Sequence, residues 1–500
     1  MHDVIFLNES PHMAYTRYLG PYACAQEIRK RGYDVVVFDF FTRAECDFFD
    51  IFEKLVTEDT KYLCISNTFL YLDELLAIKN TYSDCFASQK DEQSFGYTIE
   101  DYLTTSMNLC WRSEEKIRSF FDRIESICPG IKILSGGARS NEIYQLIRGV
   151  DREFALKDYI DRWIVGWGDK AVADVIEFWD EIEYEDVRGF KFVNVGRNPT
   201  WPKYDIPLAP FISKDVISSH EMIPLETSRG CAFNCRFCHY DKGKSVKLDA
   251  ESLRYQFIEY HNRFGVTKFQ LTDDCINDNY EHIKNIHSVV KSLPFKPVMS
   301  SYARADLCNK YPDIIDMMAE SGFKVLQVGV ESLTYEVSKA AGRGLPIEKE
   351  IDILTKFKER GMDIVGNFII GLPGETPRSQ RKQFMWAAQQ NILSARFRSL
   401  NVYPYVDDIA KVSNYPDYSM DPKRYGFTEF RFDPDMYWKH DTMDLTQARE
   451  LHKEWREVWR GKKHLGAQSR RNEYHLSLIH ISEPTRPERI SYAVLFLKKK

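Results

Sequence analysis

The chain has 500 residues, 43% of them hydrophobic and 28% charged, which is too long for one ordinary domain and apolar enough for two sizeable cores. Its 68 basic and 74 acidic residues leave a net charge of -6, so there is no general attraction to nucleic acid or to an anionic membrane surface. No run approaches membrane-spanning length, the opening "MHDVIFLNESPHM" lacks the basic region and cleavage site of a secretory signal, and the 11 cysteines are mostly scattered singly, so disulfides are not expected and the expected location is cytoplasmic.

The first segment predicts strand, helix, strand. "DVIFLN" is β-branched and apolar, "GPYACAQEIRKRG" repeats apolar residues at helical spacing and stops at Gly32, and "YDVVVFDF" is a buried-strand run. "KYLCIS", "SEEKIRSFFDRIESIC", "KILSGGA" and "DRWIVGWGDKAVADVIEFW" continue the alternation. This predicts a doubly wound parallel α/β sheet over residues 1–189, with ligands at the carboxyl ends of its strands. The alternation breaks over about 72–112, where the polar "SQKDEQSFGYT" marks an insertion, either a lid or a surface loop. Residues 190–220, with "GRNPTWPKYDIPLAP", are proline-rich and aperiodic and read as a packed linker.

A second alternation covers 221–410, with strands at "IPLET", "TKFQLT", "PVMSSY", "KVLQVGV", "DIVGNFII" and "RFRSLNVY". Helices lie between them, one running from an Asp249 N-cap to a Gly265 stop. Six βα units predict a partial parallel (β/α)6 barrel. Residues 411–475 read as a small, mostly helical cap: an aromatic stretch, "YGFTEFRFDPDMYWKH", then the charged amphipathic helix "LTQARELHKEWREVWRGKKH". The last stretch, 476–500, "LSLIHISEPTRPERISYAVLFLKKK", resembles translated read-through of a sequencing-library adapter and is read as a non-native tail, with the authentic C-terminus expected to be missing.

The segment "SRGCAFNCRFCHY" sets Cys231, Cys235 and Cys238 at C-x3-C-x2-C spacing. A structural zinc site needs four closed ligands; His239 is poorly placed beside Cys238, and Cys275 or Cys308 would have to come from another strand. Three thiolates on one short loop suit instead a four-iron cluster that leaves one iron open for a substrate or cofactor.

This loop, after the first barrel strand, resembles the signature of the radical S-adenosylmethionine (SAM) superfamily. The resemblance implies a [4Fe-4S] cluster on the three cysteines, SAM chelated at the open iron, reductive cleavage to a 5'-deoxyadenosyl radical, and an electron donor such as flavodoxin or ferredoxin. It places Phe237 near the adenine or packed against the cluster. In "FQLTDDCINDN", Asp273 and Asp274 match the acidic position that holds the methionine ammonium, with helix capping as the other use. In "SSYARADL", Arg304 is set to meet the SAM carboxylate or to form an ordinary ion pair. In "LQVGVESLTYEVSKAAGRG", Glu331 and Ser332 match ribose or methionine contacts, with Arg343 pointing back towards the site. In "NFIIGLPGET", Gly371 and Gly374 allow close approach at the adenine edge or simply shape the turn.

The N-terminal domain resembles the cobalamin-binding class of this superfamily through "YTRYLGPYACAQEIRKRGYDVVVFDF", "ISNTF", "ILSGGA" and "IVGWGDKAV". The D-x-H-x-x-G motif that supplies a histidine to cobalt is missing: His2 and His12, the domain's histidines, lack that context, as in many members of the class. Gly136, Gly137, Gly166 and Gly168 stand in strand-end turns where a corrin would approach the backbone. The class implies a cobalamin-dependent methyltransferase. Radical rearrangement or cyclisation without methyl transfer is an alternative, as is methylthio transfer with a second cluster on Cys24, Cys64 and Cys128, or a non-catalytic cluster-containing binding or regulatory module. The substrate is not legible, although the 72–112 insertion and the aromatic 411–440 region, with Tyr403, Tyr405 and Trp438, are placed to shape its pocket or to pack the core.

Overall fold

Val4–Leu7 (β1), Val35–Phe38 (β2), Tyr62–Ser66 (β3), Lys132–Gly136 (β4) and Arg162–Gly166 (β5) are short runs rich in β-branched and other apolar residues, and they pair as parallel strands. The computed structural model describes residues 2–8, 17–39, 54–67, 114–137, 140, 143–144, 147–148, 155–196, 210–238, 243–402, 417–431 and 437–460. The 72–112 insertion, His12, His239, Tyr403, Tyr405 and the 476–500 tail lie outside them.

Glu185–Val187 (β6) and Phe190–Gly196 (β7) complete the first sheet, in the order β2-β1-β3-β4-β5-β7-β6, with only β6 antiparallel to its neighbour. β1 and β3 are buried along their whole length, as strands covered on both faces must be. Leu19–Lys30 (α1) and Gly168–Glu177 (α3) pack together, and Glu114–Ile127 (α2) precedes β4. The strand order reverses between β1 and β3, the switch point at which such sheets bind ligands.

The linker expected from residue 190 is thus a strand over Phe190–Gly196. Phe190 and Phe192 alternate inward against Trp163, with ring centroids 5.7 and 6.3 Å away, and that burial overrides the proline-rich composition that follows.

Met222–Leu225 (β8) opens the second unit and leads into an antiparallel hairpin, Ser228–Cys231 (β9) and Lys244–Lys247 (β10). Lys268–Leu271 (β11), Val298–Ala303 (β12), Phe323–Glu331 (β13), Asp363–Ile370 (β14) and Leu393–Ser399 (β15) extend from β8 as one parallel six-stranded sheet in sequence order. Its helices are Ala250–Phe264 (α4), Tyr280–Lys291 (α5), Asp306–Lys310 (α6), Asp313–Ser321 (α7), Tyr335–Ala340 (α8), Ile347–Glu359 (α9) and Pro377–Gln389 (α10). Asp249 caps α4 by accepting from the Ser252 N–H at 2.8 Å, and Gly265 ends it at φ +69°.

Residues 210–221 join the two units. Phe211 is fully buried between Tyr22 of α1 and Tyr260 of α4, with centroids at 4.5 and 5.5 Å. Arg29 pairs with Asp215 at 3.3 Å and Arg17 with Glu221 at 2.9 Å on either side of it.

The C-terminal region comprises Asp417–Met420 (α11), an antiparallel sheet of Phe427–Arg431 (β16), Tyr437–His440 (β17) and Met443–Asp444 (β18), and Leu445–Arg460 (α12). Trp455 of α12 packs on Phe384 and Phe397 of the barrel, at 5.4 and 4.5 Å between centroids. Among the described residues no helix is long and apolar enough to cross a membrane.

Candidate active site

Cys231 ends β9, and Cys235 and Cys238 follow in the loop that returns to β10. Backbone contacts pin that loop from several sides. The Ala232 N–H donates to the Asp278 carboxylate at 2.9 Å, and Lys247 pairs with the other Asp278 oxygen. The Arg236 N–H donates to the Ala341 carbonyl at 3.0 Å, and the Arg236 carbonyl accepts from the Tyr418 N–H at 3.1 Å. Gly342, at φ +88°, lets the chains meet: a Cβ there would lie 2.9 Å from the Asn234 carbonyl and 3.2 Å from the Cys235 Cα. A side chain at this glycine would push the cysteine loop away.

Cys235 is buried, while Cys231 and Cys238 are half-buried. A hydrogen bond from Cys275 lowers the Cys231 thiol below its ordinary pKa against the effect of burial, and the same contact pushes the buried Cys275 up. Arg304 donates Nη1–H to Cys235 Sγ at 2.9 Å, lies 3.7 Å over the Phe233 ring, and pairs with Asp306 at 2.7 Å. Among the described residues no three His, Cys, Asp or Glu side chains converge as the ligands of a single ion would.

The expected site residues divide into two groups. Asp273 is fully buried and accepts from Thr227 Oγ1 at 2.7 Å and from Ser228 Oγ; Thr227 Oγ1 also meets His282 Nε2 at 2.9 Å. Burial raises the Asp273 carboxyl and holds the His282 imidazole down to about 3, so the cluster is a neutral-histidine brace at the foot of the hairpin. Asp274 is half-buried. Ser332 donates to Glu375, which also accepts from Ser379 and from Gln383 at 2.8 Å, so its hydroxyl serves an internal network. Gly371, at φ +94°, has its Cβ direction filled by Trp438, whose Cζ2 would be 2.9 Å away, and its carbonyl faces His440 Nε2 at 3.1 Å. Gly374, also at φ +94°, faces Val337. Phe237 packs against the core.

Glu331 is buried and its backbone is strained. It has φ +66° at the irregularity that ends β13, a conformation uncommon for glutamate and found where surroundings enforce it. Burial raises its carboxyl against the pull of Arg343 and Arg304. Arg343 donates to the Gly329 carbonyl and stands 3.6 Å from Glu350, a buried carboxyl that burial lifts to about 7.

Sequence reasoning missed Asp278, Asn277 and Arg229. Asn277 accepts from the Arg304 N–H at 2.9 Å and donates to the Arg304 carbonyl at 2.7 Å, fixing that turn. The signal was present in "DDCINDN", whose acidic and amide side chains continue past the pair that drew attention. Arg229, two residues before Cys231, is buried on Asp169 at 2.7 Å and on Glu226 at 2.9 Å, with Trp167 4.7 Å beneath it. Asp169 and Trp167 belong to the first unit, so this pair crosses between the two.

In that first unit Gly136 and Gly166 end adjacent strands, Gly137 and Gly166 adopt φ +112° and +106°, and Gly168 starts α3 over Cys24. Asn8 and Asn67 follow β1 and β3 at the switch point, buried, and the Oδ1 of each has no hydrogen-bond partner among the described residues. Asn67 Nδ2 donates to Ser135 at 3.1 Å and Ser140 at 2.9 Å. His2 lies at the other end of the sheet, before β1, against Asp34 at 3.2 Å.

Residues 225–382 match the radical SAM superfamily. The match spans most of the barrel. An uncharacterized methyltransferase of Pyrococcus horikoshii is 24% identical over 266 residues, 49% of this chain and 56% of that protein. Cytidylyl-2-hydroxyethylphosphonate methyltransferase of Streptomyces wedmorensis is 26% identical over 186 residues, 35% of this chain and 34% of its own. The chain thus spans about half or less of these relatives. The radical SAM methyltransferase TsrM of Kitasatospora setae, solved with cobalamin and a [4Fe-4S] cluster bound, superposes with a TM-score of 0.54 over 82% of this chain and 78% of that one at 15% identity. At that identity the likeness shows a shared two-unit fold, with the radical SAM domain behind a doubly wound sheet.

Proposed function

We propose that the chain is a radical SAM enzyme of the cobalamin-dependent methyltransferase kind, with a [4Fe-4S] cluster on Cys231, Cys235 and Cys238 and a corrin at the carboxyl edge of the N-terminal sheet. When bound, these groups supply a 5'-deoxyadenosyl radical from one-electron cleavage of SAM and a methyl group for the activated substrate. An acidic redox protein such as flavodoxin or ferredoxin is the expected electron source.

The donor sets fit these groups. A loop with three thiols, one of them lowered and therefore readily ionised, offers iron its preferred ligand. Strained Glu331 and half-buried Asp274 are the carboxylates assigned here to the cationic end of SAM. At the switch point, the unpartnered Oδ1 atoms of Asn8 and Asn67 await donors such as the amides that fringe a corrin.

The observation that carries this reading is the Arg229–Asp169 pair at 2.7 Å. It ties the cysteine hairpin directly to the first turn of α3, just past the carboxyl end of β5, which supports bringing the two proposed ligand edges together. Methylthio transfer needs a second cluster, and Cys24, Cys64 and Cys128 do not gather for one. Cys128 donates to the Thr60 carbonyl at 3.0 Å, before β3, whereas Cys24 sits by Gly168 beyond the carboxyl end of β5.

The test is anaerobic reconstitution of the full chain with iron, sulfide and hydroxocobalamin, followed by desalting and absorbance, then SAM and reductant. Corrin bands retained beside the iron-sulfur shoulder, with deoxyadenosine formed by the wild type and not by Cys235→Ala, are the expected result. A cluster and deoxyadenosine without retained corrin would end the methyltransferase reading.

A further inference from the structure

We infer that Arg304 sets the reduction potential of the cluster through its hydrogen bond to Cys235, rather than binding the SAM carboxylate. The inference rests on the proposal that Cys235 is a cluster ligand.

The guanidinium is committed on every side. Nη1 donates to Cys235 Sγ at 2.9 Å, Nε and Nη2 donate to the two oxygens of Asp306 at 3.2 and 2.7 Å, and the plane lies 3.7 Å from the Phe233 ring centroid. Its backbone is held by both ends of the Asn277 amide, at 2.9 and 2.7 Å. The residue is 6% exposed, so the cation is fixed, poorly screened and unable to swing towards a ligand without breaking the Asp306 fork.

A hydrogen bond to a ligating sulfur, and a positive charge beside it, stabilise the form of a cluster that carries the extra electron. Reduction here adds one electron from an external low-potential donor to the oxidised cluster, with no proton taken up and no bond broken. Arg304 therefore makes that electron easier to accept. Asp306 opposes it, drawing the guanidinium's charge away from the sulfur, while Arg343 stands 3.9 Å from the same carboxylate. The two substitutions thus have opposite signs: Arg304→Gln lowers the potential and Asp306→Asn raises it.

The experiment reconstitutes the full-length wild type, Arg304→Gln and Asp306→Asn anaerobically with iron and sulfide, checks iron per chain, and follows the reduced-cluster EPR signal in a redox titration without SAM. SAM affinity is measured separately by equilibrium dialysis. A lowered midpoint in Arg304→Gln and a raised one in Asp306→Asn, with SAM affinity unchanged in the former, is the expected pattern. Equal midpoints, or weakened SAM binding by Arg304→Gln at an unchanged midpoint, would overturn it and return Arg304 to the SAM carboxylate. Should Arg304→Gln lose its cluster, Asp306→Asn decides alone: a rise supports the inference and an unchanged midpoint refutes it. Failure of the wild type to assemble any cluster would instead remove the underlying reading, an outcome distinct from equal midpoints.

Discussion

Asp273 spends its carboxylate on the Thr227 and Ser228 hydroxyls with no exposure to solvent, while its neighbour Asp274 is half-buried. The pair was legible as one acidic motif, but which member turns inward depends on how β11 meets the hairpin, and no property of adjacent aspartates reveals that. The two substitutions separate accordingly. Asp273→Ala strands two buried hydroxyls and should cost on the order of 1–3 kcal/mol of stability, visible as a lower Tm. Asp274→Ala should leave Tm near the wild type and weaken SAM binding to the reconstituted protein. Loss of SAM affinity in Asp273→Ala at unchanged Tm would reverse the assignment.

At the scale of elements, one of the contacts between the cap and the barrel is made at a turn. Gly371 follows β14 at φ +94°, and Trp438 of β17 fills the space where a side chain would stand, its indole N–H donating to the Leu400 carbonyl at 3.0 Å. Gly371→Ala therefore combines backbone strain with a clash, and Trp438→Ala opens a cavity worth about 3–5 kcal/mol. Because the second change removes the obstacle met by the first, the double variant should unfold at a denaturant midpoint above that given by adding the two losses; strict additivity would show that the contact is not formed. The glycine was legible from "GLPG", but its occupant was not, since the contact joins distant segments. The same division holds for the fold. Parallel strands could be read because most are short runs dominated by apolar and β-branched residues, even where Lys132, Arg162 or Asp363 opens them, and Asp249 and Gly265 announced their helix ends. β7 was lost in proline-rich surroundings, and the β9–β10 hairpin was hidden because its short strands carry Arg229, Cys231 and Lys247 instead of an apolar face.

For the whole molecule, what matters is how the two units hold one geometry. Arg17–Glu221 and Arg29–Asp215 flank the joint, but Arg229 is the cation that reaches from the cysteine hairpin into the first unit, with its side chain 3% exposed. A buried ion pair costs desolvation and is often no more stabilising than apolar residues of the same shape, yet removing one partner is expensive. Arg229→Met leaves Asp169 and Glu226 facing each other without their cation and should cost about 3–5 kcal/mol, whereas changing all three to Met, Leu and Leu should recover much of it. The loss should also depend on pH. Glu226 is lifted from 4.5 to about 7, first by burial, with Asp169 and Asp273 raising it further and Arg229 opposing them. A carboxyl raised in the folded state contributes stability that is complete below the unfolded value of 4.5 and fades as pH rises through about 7. Without Arg229 the folded value climbs higher, so the deficit of Arg229→Met should be smallest in acid and widen towards and beyond neutrality. Urea unfolding of wild type and variant across that range measures it. A deficit that stays constant with pH would mean that Arg229 acts through packing on Trp167 and not through its charge.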